Sequence, residues 1–379
     1  MLTKNITHLG LEADKVLELF AQQANCGVEP IDFCLGISSF NPFDYVDVPL
    51  TRPDLRAHTR YGEFNGQLSL RKAICNYYQE KFNYDLSPAR VCITDGAMGA
   101  LNAIFAMFAE PDGEIILAEA HFPPYRILAQ IFGLHCRFAP LNDKYCVDVE
   151  QLPRLITSKT KAIIINSPSN PHGAVLSVQE LEAIASLGVP VIFDEVYQAL
   201  GFTNQPVESA ISFSDRHFII NSFSKSLAIA GFRVGYLITP PEYIPLILDV
   251  KATLNISTNL LGQILSETLL NSWDDLIEKH RAMLTQNWLL FKEVSSRLGL
   301  KLLLEPQASF FANIDISEIG QNSAHFAVNL VRDVVVSTMP SIDFQKPDPG
   351  FLRLNFACPT TYIEPGLQRI STYLKEHCQ

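Results

Sequence analysis

The chain has no apolar run of membrane-spanning length, no Cys-x-x-Cys pair, no Cys/His cluster with metal-ligand spacing and no low-complexity linker. Each absence removes a class. Without about twenty consecutive apolar residues no helical bilayer span is expected, and without clustered soft ligands no metal site is. Basic residues are the minority: 29 Lys and Arg against 40 Asp and Glu give a formal net charge of −11, which argues against a nucleic-acid partner. The stretch Met1 to His8 lacks the basic-then-apolar order of a secretory leader, so export is not expected. No Gly-x-Gly-x-x-Gly follows an early strand, which speaks against nicotinamide chemistry. The eight cysteines (Cys26, Cys34, Cys75, Cys92, Cys136, Cys146, Cys358, Cys378) are scattered, several within apolar segments, and read as reduced thiols of a cytoplasmic protein.

What the chain does have is core-forming material. Its 379 residues are 47% hydrophobic and 18% charged, enough for two or three lobes around large cores. From about Ala89 to Tyr236, short apolar runs alternate with amphipathic ones, the signature of a mostly parallel sheet covered by helices. Strands are expected at 90–94, 114–117, 162–165, 189–193 and 216–220, with helices at 98–109 and 125–132. A longer helical region, 241–298, is interrupted by capping residues near Ser257-Thr258 and Asn271-Ser272. Beyond Gly299 the pattern becomes α+β, with strands at 302–304, 310–314, 334–336 and 351–356 and helices at 324–332 and 364–377. The expected fold is therefore α/β: a three-layer α/β/α large domain with a mostly parallel sheet, plus a smaller α+β domain.

Polar clusters fall at the carboxyl ends of these strands, where open α/β sheets bind ligands. Asn221-Ser222-Phe223-Ser224-Lys225-Ser226, followed by Gly231-Phe232-Arg233, puts hydroxyls and a guanidinium around a lysine, as a phosphate cradle would; a solvated loop lysine is the plainer alternative. Thr94-Asp95-Gly96-Ala97-Met98-Gly99 is a small-residue strand-to-helix turn, suited to an anion or simply to close packing. Phe122, in the proline-stiffened Glu119 to Tyr125, is either a stacking ring or a core residue, and His121 either a pocket residue or an exposed loop histidine. Asn166-Ser167-Pro168-Ser169-Asn170-Pro171-His172-Gly173 is a turn cluster. Asp194 ends a buried strand with Tyr197 three residues on; an ionised carboxylate there needs a cation unless it caps a helix. Gly350 to Ala357 alternates so that Arg353 and Asn355 share one strand face, and solvation is the usual fate of such an arginine.

Together these segments, which span nearly the whole chain, resemble the fold-type I pyridoxal-phosphate enzymes, specifically the class I and II aminotransferases. The order Asn170, Asp194, Tyr197, Ser222, Lys225, Arg233 is that family's own. The resemblance implies pyridoxal 5′-phosphate as cofactor, linked covalently to Lys225, with phosphate contacts from Gly96, Ala97, Met98, Ser222, Ser224 and Arg233. It implies that Phe122 stacks on the ring, that Asn170 and Tyr197 meet its phenolic oxygen, and that Asp194 meets its nitrogen. Arg353 would clamp the substrate α-carboxylate, with Asn170 and Ile37 also at the substrate. Tyr61, in Tyr61-Gly62-Glu63-Phe64-Asn65-Gly66, would reach the phosphate of a neighbouring subunit, which makes the protein a homodimer.

The implied activity is transfer of an amino group between an L-amino acid and a 2-oxo acid, with Lys225, Asp194 and Tyr197 catalytic. The alternative is a lyase, decarboxylase or cyclase on the same cofactor, since Arg353-Leu354-Asn355 with Cys358-Pro359 also resembles carbon-sulfur lyases. A ligand-sensing regulator would need a DNA-binding segment, and neither room for one nor a basic patch is apparent before Gly36. The implied layout is an N-terminal segment (1–45) packing with the small domain, a large domain (46–285) and a small one (286–379). Two positions depart from the family: Ser38 stands where a second glycine is common, and Ala120 where a proline is frequent. Arg52, Arg56 and Arg60 are candidates for the second arginine that dicarboxylate-specific members use.

Overall fold

Strands buried on both faces build the centre of the molecule. In β5 (Thr160–Asn166), Ala162 and Ile164 join one apolar layer and Ile163 and Ile165 the other, the period-two alternation of a pleated strand. β6 (Val191–Asp194) and β7 (Phe218–Ser222) alternate in the same way, Ile192, Phe218 and Ile220 against Phe193 and Ile219. With β2 (Val91–Thr94), β3 (Glu114–Ala118), β4 (His135–Ala139) and β8 (Gly235–Ile238) they form a seven-stranded sheet in the order β2-β8-β7-β6-β5-β3-β4. β8 alone runs antiparallel to its neighbours β2 and β7. Helices Leu68–Phe82 and Val178–Ala185 contribute to one layer, Gly96–Phe108 and Pro123–Ile131 to the other, giving the three-layer α/β architecture. The computed structural model describes residues 10–23, 27–48, 51, 56, 58–202, 207–320 and 322–377; Met1 to His8, Cys26, Arg52 and Cys378 lie outside them.

A second apolar core lies around β9 (Phe311–Asp315) and β12 (Phe351–Asn355), which with β11 (Met339–Pro340) make an antiparallel sheet in the order β11-β12-β9. Helices Trp273–Leu298, Ser323–Val334 and Thr360–His377 pack on it. Val16, Ile31 and Phe33 join this core, and β1 (Ile31–Asp32) pairs in parallel with β10 (Val336–Ser337). The long helical region breaks as its capping residues suggest, into Ile244–Asn255, Leu260–Leu270 and Trp273–Leu298.

Two expected strands differ. Leu302 makes only a single bridge to Ile314, because Leu302, Leu303 and Leu304 serve three separate apolar clusters instead of alternating across one sheet. Val334 finishes a helix and Val335 caps it at φ 55°, its N–H bonded to the carbonyls of Leu330 and Val331, so β10 starts only at Val336.

In the helix Glu12–Gln22 the side chain of Asp14 accepts the N-cap N–H of Leu11 at 2.9 Å, but the next N–H groups, those of Glu12 and Ala13, donate to the Asp343 carboxylate at 2.9 and 2.8 Å. A residue more than three hundred positions away thus supplies the missing acceptors. Asp343→Ala is expected to cost about 1 kcal/mol and to speed amide exchange selectively in 12–22, with Asp343→Asn intermediate. Hydrogen exchange read by mass spectrometry checks this, and uniform protection in the alanine variant would show that apolar packing alone docks the helix.

Candidate functional site

A cavity of about 310 Å³ opens at the carboxyl ends of β2, β6 and β7, between the large sheet and the smaller one. Lys225, Asp194, Tyr197, Asn170, Arg233 and Arg353 all line it, as do Ala97, Met98, Phe122, Ser222 and Ser224. Gly96 stands beside it. Tyr61 and Ile37 do not line it: their side chains are 78% and 54% exposed. Arg56 and Arg60 are exposed and likewise absent from its lining.

Lys225 sits in the short helix Phe223–Ser226, whose first N–H groups are turned by Ser222: the Ser222 hydroxyl accepts the Ser224 N–H at 3.1 Å. The Lys225 Nζ donates to the Gly36 carbonyl at 2.6 Å. Burial first, then the positive charges of Arg353 and Arg233, push its pKa down to about 8, against the pull of Asp194. Asp194, on the last residue of β6, accepts the Tyr125 hydroxyl at 2.6 Å and the Val196 N–H at 3.3 Å. Burial nonetheless lifts its carboxyl to about 6.

The turn after β2 is a cradle. Gly96 adopts φ 69°, and a Cβ built there would fall 2.7 Å from Arg233 Nη2, so glycine is what lets the guanidinium approach the helix N-terminus. Arg233, at φ 56°, donates to the carbonyls of Ala230 and Asp95 at 2.9 and 3.2 Å. Cationic guanidinium, two serine hydroxyls and the free N–H groups of a thirteen-residue helix make an anion site.

Arg353 lies on β12, the middle strand of its sheet, and is 3% exposed, not the solvated residue an edge strand would carry. Its Nη1 donates to Asn170 Oδ1 at 2.9 Å and its Nη2 to the Cys34 carbonyl at 2.5 Å. Phe311 lies under the guanidinium, 4.0 Å from Cζ to ring centroid. Nε is buried without a hydrogen-bond partner.

Several contacts at the site have no signature in the sequence, although Asn355 does share the expected strand face with Arg353. Tyr125 looks like a helix aromatic until the fold brings it to Asp194. Asn355 holds the loop after β1, donating to the carbonyls of Leu35 and Ile37 at 2.7 and 2.6 Å. His280, on Trp273–Leu298, bridges Ser38 Oγ at 2.8 Å and the Ser226 carbonyl at 2.9 Å. His121 is not exposed and does not line this cavity: it is buried beside Phe138, where it lines a separate small cavity with Tyr125 and Asn166, with Nδ1 on the carbonyls of Ala118 and Glu119.

Comparison with known proteins bears on this geometry. The family model for aminotransferase class I and II matches residues 45–370. The chain is similar to the (5-formylfuran-3-yl)methyl phosphate transaminase of Methanocaldococcus jannaschii, 28% identical over 99% of this chain and 100% of that protein. It is similar to the aspartate/prephenate aminotransferase of Thermus thermophilus, 26% identical over 95% and 94%. Among solved structures, an aminotransferase from Mycobacterium tuberculosis superposes with a TM-score of 0.90 at 25% identity, covering 99% of both chains.

In the protein free of any small molecule, Lys225 is expected to titrate near its lowered value of about 8, well below an ordinary lysine. Below that pH the amine is charged and unreactive; above it the neutral amine acylates. Competitive acylation across pH, read by mass spectrometry, gives the midpoint. Asp194→Asn should lower it further, because the carboxylate holds the proton on, and Arg353→Met should raise it. An ordinary midpoint would mean that burial does not act on Nζ.

Proposed function

The chain belongs to the class I and II aminotransferases and is a transaminase, and on that premise we propose that its cavity holds pyridoxal 5′-phosphate and exchanges amino groups between an L-amino acid and a 2-oxo acid. The observation that carries this is the meeting, in one cavity, of a lysine with a lowered pKa, a buried carboxylate and a buried arginine with an unused donor.

The residues fit the group. Gly96, Ala97, Met98, Ser222, Ser224 and Arg233 would hold its phosphate, and a side chain at Gly96 would spoil that cradle. Asp194 would pair with the ring nitrogen, braced by Tyr125. Asn170 and Tyr197 would meet the phenolic oxygen, and Phe122 would cover the ring. When bound, the cofactor supplies an electron sink that weakens the bonds at the attached amino-acid Cα.

The protein's own part is binding, orientation and proton transfer. Arg353 presents a rigid guanidinium to the α-carboxylate, fixing which Cα bond is exposed to reaction. Lys225 Nζ, neutral above about pH 8 and partly so below, takes the proton from Cα. The Gly36 carbonyl accepts from the same nitrogen and so holds it in the cavity.

A homodimer is proposed from Tyr61, whose ring is exposed on this chain and is assigned to a neighbour's phosphate. Six described cysteines are unpaired, which supports a reducing, cytoplasmic location, and a role in amino-acid biosynthesis is part of the same proposal. No described helix is long and apolar enough to cross a membrane. Lyase, decarboxylase or cyclase outcomes are not favoured, since the similar proteins are aminotransferases.

The purified protein should be yellow, and Lys225→Ala should abolish turnover with the fold retained; a colourless protein that pyridoxal phosphate cannot reconstitute would overturn the proposal. Asp194→Ala should slow the half-reaction by orders of magnitude, and Asp194→Glu by less. Mixing inactive Tyr61→Ala and Lys225→Ala subunits should restore activity in hybrids with one intact site. Sedimentation as a monomer at assay concentration would remove the shared site.

A further inference from the structure

The cavity lining divides by origin. The ends of the large sheet bring the charged groups Lys225, Asp194 and Arg233, and β12 brings Arg353. The N-terminal stretch and β11 bring Leu11, Ala13, Leu17, Leu35 and Met339. Asp14 is the charged side chain on this second part among the described residues, and its Oδ2 already accepts the Leu11 N–H at 2.9 Å.

An α-amino acid has three groups to seat. On the reading above, its amino group belongs to the Lys225 end, its α-carboxylate to Arg353, and Arg233 is committed to the phosphate. Its side chain is then left with the apolar part of the lining. Among the described residues of this part of the lining, a side-chain carboxylate would meet no cation and would approach Asp14, whereas a hydrocarbon chain would be buried against Leu11, Leu17, Leu35 and Met339. The Asp343 contacts that anchor Glu12–Gln22 also keep this wall in place.

We propose that the side-chain pocket of this transaminase takes uncharged apolar amino acids of leucine or methionine size and rejects aspartate and glutamate. The inference rests on the assignment of Arg353 to the α-carboxylate. It sets this chain apart in substrate from relatives whose names carry aspartate.

The test uses the cofactor-loaded enzyme without a 2-oxo acid, following the half-reaction by absorbance with each amino acid in turn. Leucine and methionine should exceed aspartate and glutamate by about 10-fold or more in kcat/KM, the scale on which a pocket discriminates by apolar fit. In parallel, calorimetry should show 4-methylpentanoate binding more tightly than succinate. Leu17→Arg should reverse both orders, and Leu35→Arg, at a 41% exposed position, serves if the first variant does not fold. Aspartate or glutamate reacting as fast as leucine, or succinate binding more tightly in the wild type, overturns the proposal. Faster reaction of lysine or ornithine overturns it as well, by making Asp14 the recognising group. If no amino acid of any class reacts, the assignment as a transaminase fails while the two carboxylate affinities still decide the pocket.

Discussion

The burial of one guanidinium organises the molecule. Arg353 cannot lose its proton, so placing it at 3% exposure leaves a full positive charge with little water. The fold meets that cost from three directions: Asn170 from the turn after β5, the Cys34 carbonyl from the N-terminal stretch, and the ring of Phe311 from β9. Each partner belongs to a different part of the chain, so satisfying the charge fixes the large sheet, the small sheet and the N-terminal stretch relative to one another. Asn313 makes a second tie across the same gap, donating to the Pro171 carbonyl and facing His172 Nδ1 at 3.0 Å. One donor, Nε, is buried without a hydrogen-bond partner.

Much of this was legible in the sequence where the determining physics is local. The strands β5, β6 and β7 declare themselves because a strand buried on both faces must be apolar throughout, and the breaks near Ser257 and Asn271 because small polar residues cluster there, although the side-chain cap that forms is Asn259, accepting the Leu261 N–H, and Ser272 makes none. Asn170, Asp194, Ser222 and Lys225 were readable as polar residues after apolar runs, whereas Ala97, Met98, Phe122 and Arg353 were picked out by the family resemblance. What stayed hidden depends on distant partners. Nothing in Glu12–Gln22 says that Asp343 will cap it, and nothing in Pro123–Ile131 says that Tyr125 will reach a carboxylate 69 residues on. Val335 at positive φ defeats the pattern outright, since a β-branched residue is a poor left-handed cap and the apolar triplet suggests a strand.

Lys225 and Asp194 are shifted toward each other with burial as the largest cause in both. Burial penalises the charged form of both, lowering the amine to about 8 and lifting the carboxyl to about 6. Between those values the carboxylate is largely ionised and the amine largely protonated, so the two charges partly compensate within one cavity. Raising the pH frees the amine while leaving the carboxylate charged.

The lysine's surroundings must keep their geometry while it titrates, and His280 supplies this. Its Nδ1 faces the Ser226 carbonyl, which has no proton to give, so Nδ1 carries the hydrogen; Nε2 is then an acceptor and Ser38 the donor. Full burial lowers the imidazole to about 4, with the ring stacked on Phe40 at 4.5 Å. The same pattern of donors therefore holds across the whole range in which Lys225 and Asp194 change charge. Ser226 follows Lys225 directly, and Ser38 stands two residues after Gly36, whose carbonyl accepts a hydrogen bond from Lys225 Nζ. Ser38 thus acquires a reason: its hydroxyl joins the loop that holds Nζ to the helix that carries it, through an imidazole whose pKa burial lowers to about 4.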